Sequence, residues 1–92
     1  LKPNSFELYY NKGNVLKDLR KFNEAIETYN KALKIKPNAA NVYYSLGKTF
    51  IELDKLDDAL NNYSRAYKID PKQDFLLGQL FYLNLPSIGL YL

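Results

Sequence analysis

The chain contains no cysteine and no histidine. Without thiolate or imidazole it forms no disulfide, no Cys or His metal site, and no Ser-His or Cys-His nucleophile–base pair. Its four glycines stand apart, so there is no glycine-rich loop to cradle phosphate. No basic segment followed by an apolar run opens the chain, so no secretory signal is visible. Asp57 and Asp58 are the only adjacent acids. At a helix start they offset the dipole rather than bind a metal. Charge is missing altogether from residues 75–92. The lack of cysteine fits a reducing compartment, and the expected location is cytoplasmic. No catalysis, cofactor or metal is expected of this chain.

What is present is a foldable composition, with 47% apolar or aromatic residues and 25% charged ones in 92 residues. That length suits one small domain or a short piece of a repeat array. The net charge of +3 is concentrated before residue 37. Lys31, Lys34 and Lys36 fall in the last turn of an expected helix, where cations offset the negative end of the dipole. The alternative, a phosphate-binding stripe, ranks below it because a charge run at a helix end is usually solvated. Nucleic acid is therefore not an expected partner.

The dominant feature is self-similarity at a fixed period. Pro3, Pro37 and Pro71 are 34 residues apart. Tyr9, Tyr10, Gly13, Leu19, Lys21, Ala25, Tyr29, Ala32, Lys34 and Ile35 recur at Tyr43, Tyr44, Gly47, Leu53, Lys55, Ala59, Tyr63, Ala66, Lys68 and Ile69. A period of this size marks a solenoid of stacked supersecondary units. The opening Leu1-Lys2-Pro3-Asn4 echoes Ile35-Lys36-Pro37-Asn38. Residues 1–5 therefore read as the tail of a preceding repeat, and the chain as a fragment of a longer array.

Each period reads as two helices. Leu8, Tyr9, Val15, Leu16 and Leu19 have near-helical spacing, Arg20-Lys21 makes a polar turn, and Phe22 opens a second pattern through Ala25, Ile26, Tyr29, Ala32, Leu33 and Ile35. Pro37 ends it, since a proline pushes the preceding residue out of the α region. The second copy runs over 39–53 and 56–69, and no segment alternates long enough to suggest a strand. Glycine inside a helix costs about 1 kcal/mol against alanine, so Gly13 and Gly47 suggest a place where a partner helix comes close.

These residues resemble the tetratricopeptide repeat family, whose pattern appears as Tyr43, Leu46-Gly47, Phe50, Ala59, Tyr63 and Pro71, and earlier as Tyr9, Lys12-Gly13, Leu16, Ala25, Tyr29 and Pro37. Lys12 departs from the family's leucine, and its stem is expected on the core with its ammonium in water. The resemblance implies an all-α superhelix of antiparallel helix pairs, about two and a half repeats long. Its units are a repeat tail at 1–5, repeats at 6–39 and 40–73, and a truncated third repeat at 74–92.

In that family the first helix of each repeat lines a concave groove. Mapped onto this chain, the resemblance implies a peptide-binding surface of Tyr10, Asn11, Asn14, Lys17, Asn41, Tyr44, Ser45, Lys48 and Gln79, flanked by Glu7, Asp18, Glu52, Phe75 and Tyr82. Tyrosine offers contact area at low entropic cost, and asparagine pairs with both faces of a peptide group. The implied function is a protein-interaction scaffold that binds a peptide or partner protein. Some relatives clamp a C-terminal carboxylate; here Asn14 fits that clamp, but Tyr10, Ser45, Phe75 and Gln79 do not. The alternative is the substrate-recruiting arm of an O-linked N-acetylglucosamine transferase-like enzyme. Asn11 and Asn14 look like one rung of its asparagine ladder, which Ser45 and Lys48 break. Residues 75–92 reach the minimum length of a membrane span, but Gln79, Asn84, Pro86 and Ser87 interrupt them, so no membrane partner is expected. Their Leu76, Leu80, Phe81, Leu83 and Ile88 are instead expected to self-associate as a homodimer.

Overall fold

The computed structural model describes residues 5–72. They form four helices: α1 (Ser5–Asp18), α2 (Phe22–Ile35), α3 (Ala40–Glu52) and α4 (Leu56–Ile69), with no strand among the described residues. The chain is all-α, as the periodicity predicts. α1 packs against α2, α3 against α4, and α2 against α3, so two helix pairs stack side by side.

Local chemistry sets the ends of these helices. The amide of Lys21 donates to the carbonyl of Leu16 at 2.8 Å and that of Arg20 to Lys17 at 2.9 Å. This double closure needs a left-handed residue just past the helix, and Arg20 adopts it with φ 64°. The arrangement recurs one period later: Lys55 donates to Phe50, Asp54 donates to Ile51, and Asp54 has φ 60°. α2 and α4 end differently. Lys36 leaves the helix in an extended conformation and Asp70 at φ -135°, ψ 81°, both outside the α region that a following proline disfavours.

The core repeats with the sequence. Ala25, Tyr29 and Ala32 of α2 are fully buried, as are Ala59 and Ala66 of α4, with Tyr63 1% exposed. Tyr43 and Phe50 touch both clusters and join the two pairs. The glycines explain the pairing. A Cβ on Gly13 would lie 2.6 Å from Cδ1 of Tyr29, and one on Gly47 would lie 2.7 Å from Cδ1 of Tyr63. What comes close is therefore a tyrosine ring from the partner helix, seated directly on the glycine. Thr28 and Thr49 are buried too, each hydroxyl returned to a carbonyl of its own helix, Glu24 and Ser45 respectively.

One expectation needs correction. Leu8, Val15 and Leu19 have helical spacing, yet all three are more than half exposed. The side of α1 that meets α2 carries Phe6 and Gly13, with Tyr9, Tyr10 and Leu16 half-buried around them. Periodicity finds a stripe, but it cannot say whether a neighbour lies against it.

Candidate functional site

The tyrosine–glycine contact also orders the surface above it. The Tyr29 ring crosses beneath Gly13, and its hydroxyl donates to Asn14 Oδ1 at 2.5 Å. The Ser45 side chain approaches the same phenol from α3. Burial pushes the Tyr29 pKa up to about 12 despite the opposing effect of Ser45, and burial likewise pushes Tyr63 up to about 12. Both phenols thus stay neutral donors at physiological pH. With its carbonyl oxygen held by Tyr29, Asn14 keeps its amide N–H donors for a ligand.

The second repeat departs from the first at this point. Lys48 stands where Asn14 stood, and its ammonium lies over the Tyr44 ring, 5.4 Å from the centroid. Tyr10 and Tyr44 are half-buried. Tyr10 rests on Tyr29 at 6.2 Å and stacks on Phe6 at 6.1 Å, while Tyr44 rests on Tyr63 at 5.6 Å. They form a floor rather than free-standing side chains. Lys17 and Lys48 meet at the C-terminal ends of α1 and α3, in a cleft of about 290 Å³ shared with Asp18, Glu52, Arg20 and Phe22. Arg20 reaches Glu52 at 3.5 Å and covers the Phe22 ring at 5.1 Å. An exposed pair of this kind contributes little stability, but it draws down the charge of Glu52 and leaves the cleft with two lysines against one aspartate.

Of the expected binding residues, Asn11, Asn41 and Lys48 are exposed, and Tyr10, Asn14, Lys17 and Tyr44 are half-buried. Ser45 is buried, 5% exposed, beside the Tyr29 phenol. Gln79 lies outside the described residues, as do Leu76, Leu80, Phe81, Leu83 and Ile88. Sequence reasoning missed Arg20, in the α1–α2 turn, and Phe22, at the start of α2, because only the fold brings them beside α3. The helix-end lysines Lys31, Lys34 and Lys36 are exposed, and two of them also meet aromatic rings: Lys31 lies over Tyr9 at 5.8 Å and Lys36 over Phe6 at 4.6 Å, and Arg65 repeats the Lys31 contact on Tyr43 at 5.6 Å. Among the described residues no cluster of His, Cys, Asp or Glu could hold a metal, and no helix is long and apolar enough to cross a membrane.

Comparison with known proteins agrees with this architecture. The family described as TPR repeat matches residues 13–54, and the one described as Tetratricopeptide repeat matches residues 40–73. No curated protein sequence matches the chain. The solved structure of "MamA RS-1 ArsTM double mutant" superposes with a TM-score of 0.82 at 24% identity, over 94% of this chain and 48% of that one. The chain thus spans about half that protein's length, and at this identity the likeness is one of fold.

Proposed function

Because this chain belongs to the tetratricopeptide repeat family, we propose that it is a non-catalytic binding module whose α1–α3 face takes a peptide segment of a partner protein. On this reading residues 6–39 and 40–73 are two repeats and residue 74 opens a third. The observation that carries the proposal is the Tyr29–Asn14 hydrogen bond. It fixes an amide on the α1 surface at no cost to the ligand, beside an aromatic floor of Tyr10 and Tyr44. A preordered donor gains affinity because less freedom is lost on binding. Lys17 and Lys48 at the far end favour a peptide with an acidic side chain there.

Peptides selected from a random display library against the whole chain test this reading. Tyr44→Ala and Lys48→Ala should each weaken the selected peptide by about three- to thirtyfold, whereas Lys34→Ala, on the exposed side of α2, should leave it unchanged. Equal losses from all three variants would remove the α1–α3 face as the site.

A further inference from the structure

α2 and α4 both pack on α3, and the seam between them carries two clefts. One, of about 330 Å³, has an apolar floor of Leu33, Tyr43 and Leu46 under Asn30, Asn61 and Asn62. The other, of about 360 Å³, joins Arg65 and Lys68 to the α2–α3 loop at Pro37 and Asn38. Tyr43 and Arg65 line both, so the two clefts run into one groove. The α4 residues along it are Asp58, Asn61, Asn62, Arg65 and Lys68, whose spacing of three and four places them on one helix face. This groove lies away from the α1–α3 face. Successive helix residues turn by about 100°, which puts Tyr43 and Leu46 nearly opposite Tyr44 and Lys48 on α3.

The chemistry changes along the groove. Asp58 stands at one end, the amides in the middle, and Arg65 and Lys68 at the other end. Among the described residues none of these three charged side chains forms an ion pair. Arg65 lies over the Tyr43 ring, 5.6 Å from its centroid, and Tyr43 donates its hydroxyl to the Pro37 carbonyl at 3.1 Å. Ring and cation are thereby held in place before any ligand arrives. Asn62 donates an amide N–H to the backbone carbonyl of Asp58 at 2.8 Å, so its own carbonyl oxygen is left to accept. The charges alone have a simpler origin, because an acid at a helix start and cations at its end suit the dipole. Glu24, Lys31 and Lys34 hold the same places on α2. The dipole does not account for the amides. Asparagine is a poor residue for the middle of a helix, and α2 has Glu27 and Thr28 where α4 has Asn61 and Asn62. Three amides from two helices, above one aromatic floor, suit a main chain whose N–H and C=O groups each need a partner.

We propose that the α2–α4 groove binds an extended segment of a partner protein, with a basic side chain against Asp58 and an acidic one against Arg65 and Lys68. Asp58 to Arg65 spans about 10 Å of helix, and Asp58 to Lys68 about 15 Å. An extended chain rises about 3.3 Å per residue and turns alternate side chains to one face, so charges about four residues apart reach both ends. The side chain midway between them is apolar and rests on Tyr43 and Leu46. Residues 75–92 carry no charge and cannot satisfy either end, so the occupant is another protein. This surface is separate from the α1–α3 face, so either proposal can fail alone.

The probe is a fluorescein-labelled peptide of about seven residues, with lysine and glutamate about four apart, leucine midway and threonine elsewhere. It is titrated against the whole chain by fluorescence anisotropy. Changing its glutamate to lysine should weaken binding about tenfold. Arg65→Glu with Lys68→Glu in the chain should weaken the original peptide to a similar extent and restore the altered one. Both residues are exposed, and circular dichroism checks that helicity is unchanged. Asn61→Ala with Asn62→Ala should weaken both peptides alike, by about three- to tenfold. Tyr44→Ala, on the other face, should change nothing. The proposal is overturned if the original peptide does not bind below about 1 mM. It is overturned too if charge reversal in the chain fails to rescue reversal in the peptide, or if the amide variant binds as the parent does. Loss of binding in Tyr44→Ala would move the peptide to the α1–α3 face and refute the groove. So would a drop in the sedimenting mass of the free chain on Arg65→Glu with Lys68→Glu, since a second copy would then be the occupant.

Discussion

Gly13 and Gly47 matter for the space above their α-carbons. Each accommodates a fully buried tyrosine ring, which has no room to retreat from an added methyl. Gly47→Ala gains up to about 1 kcal/mol of helix propensity, yet the clash with Tyr63 should win and lower stability by about 1–3 kcal/mol. Chemical denaturation reads the difference, and a variant as stable as the parent would show that the ring can move aside. The same tyrosines set an alkaline limit. Their folded pKa values, pushed up by burial to about 12, lie above the ordinary value near 10. The folded state therefore holds protons that the unfolded chain releases. Their contribution is complete below about pH 10 and declines as pH rises toward about 12. Urea midpoints at about pH 9 and about pH 11 should fall by less in Tyr29→Phe, Tyr63→Phe than in the parent. A parallel fall in both would place the alkaline loss elsewhere.

At the scale of the element, the two α-hairpins close through one device, a left-handed residue that is not glycine. Arg20 has a compensation, since its guanidinium reaches Glu52 and lies over Phe22. Asp54 has none of these contacts, and its φ of 60° costs energy that glycine would not incur. Asp54→Gly should therefore stabilise the chain by about 0.5–1 kcal/mol, after the greater freedom of glycine in the unfolded state is subtracted. Arg20→Gly should gain less, because it also loses the cation over Phe22. Thermal unfolding of both variants checks the order, and a destabilised Asp54→Gly would overturn the account of the turn.

For the whole molecule, stability comes from stacking, and each pair depends on its neighbour to cover a face. Tyr43 and Phe50 bridge the two clusters, so the second pair is not an independent unit. An array must also cover its ends. Residues 75–92 lie outside the described residues, and their uncharged, leucine-rich sequence is proposed to self-associate. Sedimentation at micromolar concentration should find a species heavier than the 10.7 kDa chain. Leu80→Glu with Ile88→Glu should return it to monomer, while Leu8→Glu with Val15→Glu should not. A parent chain that sediments as monomer would refute the dimer.

The sequence by itself determined the unit of this protein. A 34-residue period of helical patterning, closed by Pro37 and Pro71, defines paired helices, because backbone geometry and proline sterics act over neighbouring residues. The recurring glycine and tyrosine were legible for the same reason, although not that one sits on the other. What only the tertiary structure decided is which stripe meets which neighbour. Val15 and Thr49 occupy equivalent places, and the apolar residue is exposed while the hydroxyl is buried. Ser45, expected on the groove, is buried beside Tyr29, and Arg20 and Phe22 line the cleft from the α1–α2 turn and the first residue of α2. Burial is a property of the pair of surfaces, and a linear pattern describes only one of them.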